Sequence, residues 1–198
     1  MKRYLLIIAV AALAAGPFAP TAGANEIFKF DAAHSTIGFR VHQFLGATNG
    51  KFTQFSGTID VDRQHPERSS VTATIKTASI DTRIKKRDDH LRSEEFFNVE
   101  KYPEIAFKSR SVKQSGSQSG DIIGDLTMHG VTKPITLHVK LLSPLKAEGQ
   151  LQQTKWEVTT EPLKRREFGL MFGGTAETVS GISQDVAIKI EIEATRAQ

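Results

Sequence analysis

The six histidines of this sequence are candidate catalytic or metal-binding residues. On one strand, His34 and His42 would have their side chains on the same face. Eight residues at about 3.3 Å each place them roughly 26 Å apart, however, which is too far for both to bind one ion. His129 and His138 could approach each other across a hairpin, yet two imidazoles without a third ligand make a weak site. We therefore expect no metal ion and no other cofactor. The six are His34, His42, His65, His90, His129 and His138.

Other candidate catalytic groups also lack the required spacing. In Asp88-Asp89-His90 the carboxylates adjoin an imidazole, but neighbours on a helix do not face each other. The Ser-rich stretch 116–120 has Gln118 where a nucleophile elbow needs serine, so it predicts a turn. Asp60-Val61-Asp62 loosely resembles a calcium loop, but a strand end followed by a turn explains it better.

The first 24 residues have the pattern of a secretory signal peptide. Lys2 and Arg3 precede an apolar run over residues 4–15, and Ala22-Gly23-Ala24 supplies a small-residue cleavage site. The run is about a dozen residues long, short of the roughly 20 that a spanning helix needs. We expect cleavage near Ala24, leaving a soluble periplasmic protein with one domain over residues 25–198.

Charge and cysteine content exclude several functional classes. The formal net charge is +4. Without Lys2 and Arg3 of the leader, 24 basic and 22 acidic residues remain, a net of +2 that argues against nucleic-acid binding. The sequence has no cysteine, which excludes disulfides, thiolate metal sites and a cysteine nucleophile.

Apolar and polar residues alternate with a period of two from Phe28 onward, which predicts β-strands with one apolar face. Two predicted strands are 121–128 and 155–160, and six further runs bring the number to about eight. The predicted turns are at 115–120, 130–134 and 147–149. Short links suit antiparallel neighbours, and closure removes exposed edges, so we favour an up-and-down barrel over a sandwich. The other runs have their apolar positions at Ile37, Phe39 and Val41; Phe55, Ile59 and Val61; Val71, Ala73 and Ile75; Ile105 and Phe107; Ile135, Leu137, Val139 and Leu141; and Val186, Ile188, Ile190 and Ile192.

One segment, from Arg83 to Asn98, breaks this alternation and predicts a short helix that stops before Tyr102-Pro103. Its basic residues could contact an anionic headgroup or a membrane surface. From Arg83 to Glu95 the net charge is only +1, which favours a solvated helix face. These basic residues are Arg83, Lys85, Lys86, Arg87 and Arg92, and Lys164, Arg165 and Arg166, further along the chain, could make the same contact.

The aromatic composition favours a hydrocarbon ligand. The chain has 12 Phe, 2 Tyr and 1 Trp, whereas sugar and nucleotide sites usually exploit the polar handles of Trp and Tyr. Many of these rings belong to a core, and composition alone does not separate a filled interior from a lined cavity. We expect Phe39, Ile75, Phe107 and Leu137 to face inward, because the alternate Arg40, Lys76, Lys108 and His138 are costly to bury.

An ordered set of motifs runs along the chain from about Ile27 to Ala194. The motifs are Phe30-Asp31-Ala32-Ala33-His34-Ser35-Thr36-Ile37-Gly38-Phe39, Gly50-Lys51-Phe52, Arg87-Asp88-Asp89-His90-Leu91, Phe96-Phe97, Tyr102-Pro103-Glu104-Ile105-Ala106-Phe107, Gly124-Asp125-Leu126, Gly130-Val131-Thr132-Lys133-Pro134 and Phe168-Gly169. In this order they resemble the YceI-like family of bacterial periplasmic proteins. The resemblance implies an extended eight-stranded antiparallel barrel, lipocalin-like, that encloses a polyisoprenoid or similar amphiphilic chain. It implies no established catalytic activity. Two departures are Glu167, where the family pattern has Asp, and a long glycine-bearing loop over 173–183.

These observations together predict a lipid-binding protein for transport, storage or stress protection. Its partners would be a polyisoprenoid or other long-chain lipid and, transiently, a membrane surface, with no nucleic acid and as a monomer or homodimer. One alternative is a hydrolase or transferase acting on a prenyl lipid, with His34, His42 or the 88–90 group as acid or base. Another is a structural envelope protein with a packed, ligand-free interior. We expect the ligand at Ile37, Phe39, Phe52, Phe55, Ile75, Phe107, Leu126, Leu137 and Phe168.

Overall fold

The structure is a computed structural model that describes residues 25–143, 152–171 and 181–197. The predicted signal peptide, the predicted turn at 147–149 and most of the loop at 173–183 lie outside these ranges. The strands are β1 (Glu26–Phe30), β2 (Thr36–Gln43), β3 (Gly46–Phe52), β4 (Phe55–Val61), β5 (Ser70–Lys76), β6 (Ile80–Asp81), β7 (Glu104–Gln114), β8 (Ser119–Met128), β9 (Val131–Leu141), β10 (Gln153–Thr159), β11 (Leu163–Lys164) and β12 (Asp185–Arg196), with the helix α1 (Lys85–Arg92).

Eight of these strands form a closed ring in the order β1-β4-β5-β7-β8-β9-β10-β12. The first and last strands pair with each other, Phe28 opposite Arg196 and Phe30 opposite Ala194, so the ring has no free edge. Every pairing is antiparallel. The predicted all-β, eight-stranded antiparallel barrel with one short helix is confirmed.

Strand β12 is long enough to serve two neighbours along one edge. Its last residues pair with β1, and its first half pairs with β2, with Val186 opposite Val41 and Glu191 opposite Thr36. Strands β2, β3 and β6 therefore lengthen the barrel at one end, which also carries α1 and the 3-10 turn Arg165–Phe168. We call this the helix end, and the opposite end, with the loops at 62–69 and 115–118, the loop end.

The inward register predicted from the alternation is confirmed. Phe39, Ile75, Phe107 and Leu137 line the interior, whereas their neighbours point outward. Strand β8 shows this register most clearly, because every second residue from Gly120 to Met128 is buried on the inner face of the barrel. The exposed neighbours are Arg40, Lys76, Lys108 and His138.

The helix is shorter than predicted, ending at Arg92 instead of Asn98. Ser93 takes an extended conformation and its N–H donates back to the carbonyls of Asp89 and His90, which closes the helix. The following residues form turns that bury Phe96 and Phe97 in the barrel core. Among the described residues no helix has the length and apolar character needed to span a bilayer.

One predicted turn is wrong, and four strands were not predicted. The link between β8 and β9 is not 130–134 but the pair His129 and Gly130, both with positive φ, at 50° and 76°, as in a type I′ turn. Pro134 consequently lies within β9, opposite Asp125. Four strands were not predicted, because these segments are short or lack clear alternation: β1, β3, β6 and β11.

Candidate functional site

Two adjoining cavities occupy the barrel interior. The inner cavity contains about 1110 Å³ of space not filled by protein atoms and the outer cavity about 820 Å³, each figure including the part open to solvent. The outer cavity lies at the helix end, with walls from β2, β3, α1 and the start of β12. Both are lined by Phe52, Met128, Leu163 and Ile188, so they adjoin along the barrel.

The inner cavity has an almost entirely hydrophobic wall. Of its described lining residues, only Thr160 and Trp156 carry a polar side-chain group, and the Trp156 indole N–H is buried without a hydrogen-bond partner. Such a surface offers few of the hydrogen-bonding groups that a sugar, nucleotide or ion would need. Its lining includes Phe30, Ile59, Val71, Ala73, Ile75, Ile105, Phe107, Ile122, Leu126, Leu137, Trp156 and Ile190.

Three phenylalanines of the cavity walls lie against glycines of neighbouring strands. Phe30 packs on Gly57, Phe39 on Gly50 and Phe107 on Gly124, each so closely that a β-carbon on the glycine would collide with the ring. The rings therefore lie along the sheet instead of across the barrel. Bare backbone under the aromatic ring is what lets a phenylalanine-rich interior keep an open channel.

The outer cavity differs because it combines apolar walls with four polar side chains. Aromatic and aliphatic residues from β2, β3 and the segment after α1 form most of its surface. The polar residues are Gln43, Thr48, Arg87 and Arg165. No carboxylate lies among its described lining residues, so the site is suited to a hydrogen-bond acceptor or an anion.

Arg87 is held by neutral oxygen atoms. Its Nε donates to Thr82 Oγ1 at 2.7 Å, one terminal nitrogen to the Thr82 carbonyl at 3.0 Å and the other to Thr48 Oγ1 at 3.2 Å. A guanidinium carries five N–H donors, and these bonds use three. The remaining two are suited to an acceptor in the outer cavity.

Arg165 is almost fully buried, with 3% of its surface exposed. Its nitrogens donate to the carbonyls of Ser183 at 3.0 Å, Leu170 at 2.8 Å and Ile182 at 3.3 Å. These bonds tie the 3-10 turn to the segments on either side of the outer cavity. Arg165 is therefore an organising residue of the helix end as well as part of the cavity wall.

Buried Asp88 orders the segment that presents Arg87. Its Oδ1 accepts from the backbone N–H of Thr82 at 2.9 Å and also from the Thr82 hydroxyl. Thr82 in turn accepts from Arg87, so the three residues form one network beside the outer cavity. The solvated face predicted for the basic cluster is correct for the exposed Arg83, Lys85 and Lys86 but wrong for Arg87.

The structure brings most of the expected ligand-binding residues together around the cavities. Phe39 lines the outer cavity, Phe52 lines both cavities, and five others line the inner one. Phe55 and Phe168 are in neither cavity wall. Phe168, at the end of the 3-10 turn, is buried in the hydrophobic core, and Phe55 is half-buried and packs against that core. The inner-cavity residues are Ile37, Ile75, Phe107, Leu126 and Leu137.

Several lining residues were not expected from the sequence. Arg87 and Arg165 belonged to basic clusters that could contact a headgroup, but the near-zero charge balance of 83–95 favoured a solvated surface. The inward position of Trp156 could have been predicted, because Trp156 and Val158 are alternate residues of a predicted strand. Phe96 and Phe97 follow the helix in a segment without periodicity, so only the fold directs them to the outer cavity.

The candidate catalytic groups point to separate surface partners. Asp89 pairs with Lys85 at 2.6 Å, and His90 pairs with Glu95 at 2.8 Å. His34 Nδ1 lies 2.8 Å from Asp31 Oδ2, and this hydrogen bond raises the pKa of His34 and lowers that of Asp31. None of them is in a cavity wall.

Potential metal ligands are dispersed as well. In the described ranges no three His, Asp or Glu side chains converge. His129 and His138 do not meet across a hairpin, because His129 occupies the turn itself while His138 lies far down β9, bonded to Asp121 at 2.7 Å. Asp62 Oδ1 accepts from the N–H groups of Gln64 and His65, which is the turn expected after a strand end.

Known proteins are similar to this chain in sequence and architecture. Residues 28–194 match the YceI-like domain. Protein YceI of Salmonella arizonae is 38% identical over 174 residues, covering 81% of this chain and 90% of that relative.

Solved structures have the same fold. BcnA of Burkholderia cenocepacia superposes with a TM-score of 0.75 at 25% identity, over 84% of this chain and 99% of that one. A polyisoprenoid binding domain from Saccharophagus degradans, implicated in plant cell wall breakdown, has a TM-score of 0.63 at 18% identity, over 86% and 98%. Because the domain match spans residues 28–194 and the Salmonella relative is 38% identical over 174 residues, this chain belongs to the YceI-like family.

Proposed function

We propose that the protein binds a polyisoprenoid or a similar long amphiphilic chain inside the barrel. The observation that carries this proposal is the division of polarity between the two cavities. Among the described lining residues, the only polar side-chain groups of the inner wall are the Thr160 hydroxyl and the Trp156 indole N–H, whereas the outer wall has two arginines, a threonine and a glutamine. An apolar tail fits the first environment and a polar headgroup the second.

The shape of the interior supports a single elongated ligand. An eight-stranded barrel is narrow, with room for side chains or for one small ligand across its width. Because the inner and outer cavities adjoin along the barrel, a chain would lie lengthwise, with its headgroup near Arg87 at the helix end. The fold shared with the polyisoprenoid binding domain of S. degradans supports this ligand class.

A binding role also fits the placement of the acid–base groups better than a catalytic role. His34 and the 88–90 group lie outside the cavity walls, so an enclosed lipid would meet none of them. Transport, storage or stress protection of a lipid or quinone-type molecule is the corresponding activity. We place it in the periplasm, after removal of residues 1–24, and such a carrier needs transient contact with a membrane to exchange its ligand.

Native mass spectrometry of the purified protein, together with its organic extract, tests this proposal. We expect a one-to-one complex whose extra mass is that of an extracted long-chain lipid. Ala73→Phe, which adds a ring to the inner cavity, should lose the complex. Thr72→Phe is the matched control, because its side chain is on the exposed face of the same strand, and it should retain the lipid. Unchanged binding by Ala73→Phe, or a wild-type protein that binds no prenyl chain, would contradict the proposal.

A further inference from the structure

Exposed hydrophobic side chains are concentrated at the helix end. Leu45 is fully exposed and Phe44 is 75% exposed, at the tip of the β2–β3 hairpin. Ile84, just before α1, and Met171, next to the cavity residue Leu170, are also exposed at this end. Of the large exposed hydrophobic residues in the described ranges, only Leu142 lies at the loop end.

The hairpin tip is held in place by defined contacts. The Ser183 N–H donates to the His42 carbonyl at 2.9 Å, immediately before the tip. On the other strand, Thr48 Oγ1 accepts from Gln43 and from Arg87. The Phe44 ring lies directly over the backbone of Gly181. The chain therefore holds two large apolar side chains in water, against the usual preference for burying them.

The tip adjoins the site where the ligand is proposed to bind. Gln43 and Thr48, which flank the hairpin turn, both line the outer cavity. A partner that covered Phe44 and Leu45 would therefore contact the end of the barrel where the headgroup is proposed to lie. For a water-insoluble chain, the natural reservoir at that point is a lipid bilayer.

The charge pattern at this end favours insertion over electrostatic attraction. Arg83 to Glu95 carries a net charge of only +1, and Lys85 and Lys133 are paired with Asp89 and Glu167. A protein partner would need a contact of about 800 Å² on each side, which a convex two-residue tip does not offer. An apolar tip is instead suited to the boundary between headgroups and acyl chains.

We propose that the β2–β3 hairpin inserts Phe44 and Leu45 into a bilayer surface and so positions the outer cavity at the lipid–water boundary. The inference rests on the proposed function, since it identifies where the carrier meets the membrane that supplies or receives its ligand. It assigns the hairpin a role in docking and leaves ligand affinity to the cavities.

The lack of cysteine makes a direct test available. Leu45→Cys in the full-length mature protein is labelled with an environment-sensitive fluorophore and mixed with vesicles of phosphatidylcholine, or of phosphatidylethanolamine and phosphatidylglycerol. We expect a blue shift and increased emission with both compositions and at high salt. Leu142→Cys, labelled in the same way, should show no shift. A label at position 45 that stays in water with both vesicle types overturns the inference, as does a shift that requires anionic lipid and disappears with salt.

Vesicle flotation of unlabelled protein gives a second measurement. Phe44→Ser/Leu45→Ser should reduce the bound fraction at least about tenfold, whereas the control Leu142→Ser should bind as the wild type does. Equal flotation of the double variant and the wild type overturns the inference.

Ligand binding separates this inference from the proposed function. Binding of detergent-dispersed geranylgeraniol should be the same in the double variant and the wild type, while its transfer from vesicles should slow. If the wild type binds geranylgeraniol but not vesicles, the docking inference fails and the proposed function stands. If it binds vesicles through the hairpin but no prenyl chain, the proposed function fails.

Discussion

The far end of the Phe39 ring on β2 lies against Gly50, its cross-strand partner on β3. A β-carbon at Gly50 would lie 2.9 Å or less from three atoms at the far end of the ring, closer than real contacts allow. Phe39 also packs on Phe52, with ring centroids 5.8 Å apart, and Phe52 lines both cavities. The absence of a side chain at position 50 thus sets the width of the outer cavity.

Gly50→Ala is expected to displace the Phe39 ring into the outer cavity. Overpacking of this kind costs about 1–3 kcal/mol of unfolding free energy and should also weaken ligand binding. Denaturant unfolding and ligand titration measure the two effects. Gly38→Ala is the control, because its nearest neighbour would be 3.3 Å away and its side chain would not meet a ring. Adding Phe39→Leu to Gly50→Ala should restore much of both losses, and strictly additive effects would contradict the steric account.

Affinity is expected to rise with ligand chain length and then level off. Each enclosed isoprene unit buries four to five carbons, which contributes roughly 3 to 4 kcal/mol before association costs. Units beyond the length of the two cavities would add nothing. Titration with prenyl alcohols of increasing length measures the curve. Indifference to length, or tight binding of a bare diphosphate, is incompatible with a hydrocarbon channel.

The headgroup is expected to add a smaller contribution that depends on salt. Arg87 has two N–H donors beyond those bonded to Thr48 and Thr82, so it can bind a diphosphate. Arg87→Gln should weaken binding of a prenyl diphosphate about tenfold at low salt and less at high salt, because mobile ions screen the interaction. Binding of the corresponding alcohol is the control and should change little. An equal loss for both ligands would indicate that Arg87 only supports the fold.

Loss of the Asp88 carboxylate is expected to destabilise the helix end. Asp88→Ala leaves the buried N–H of Thr82 without its acceptor, which should cost about 2–4 kcal/mol of unfolding free energy. Asp88→Asn keeps one acceptor oxygen and should cost less than half as much. Denaturant unfolding distinguishes these outcomes. Equal stability of the alanine variant and the wild type would exclude the network described above.

The Asp31–His34 pair makes the turn before β2 sensitive to pH. His34 has a raised pKa, so its stabilising contribution is complete below about pH 6.5 and is lost as pH rises through the folded-state pKa. Asp31 has a lowered pKa, so its contribution is present above about pH 3.8 and is lost as pH falls further. NMR titration should show the pKa of His34 falling toward 6.5 in Asp31→Asn. Glu193→Gln, which removes only a weaker, distant charge, should lower it less.

Regular alternation made the long strands predictable. The run in β12 places Ile188, Ile190 and Ile192 on the inner cavity wall, as a period of two requires. Strand β3 was missed because Gly46, Asn49 and Gly50 disfavour a strand locally, and pairing with β2 overrides that preference. The helix end was harder to predict, since Phe96 and Phe97 are placed by turns without a repeating pattern.

The sequence alone determined which residues of the long, regularly alternating strands face the interior and that this part of the interior is apolar. Alternation is a local property, because neighbouring side chains of a strand must point to opposite faces, and burying Lys108 or Arg40 would be costly. Only the tertiary structure decided that Arg87 reaches Thr48, that Phe39 rests on Gly50 and that β1 closes the ring on β12. These contacts depend on the registers of all the strands around the barrel. A closed sheet must satisfy every register at once, and no local pattern contains that condition.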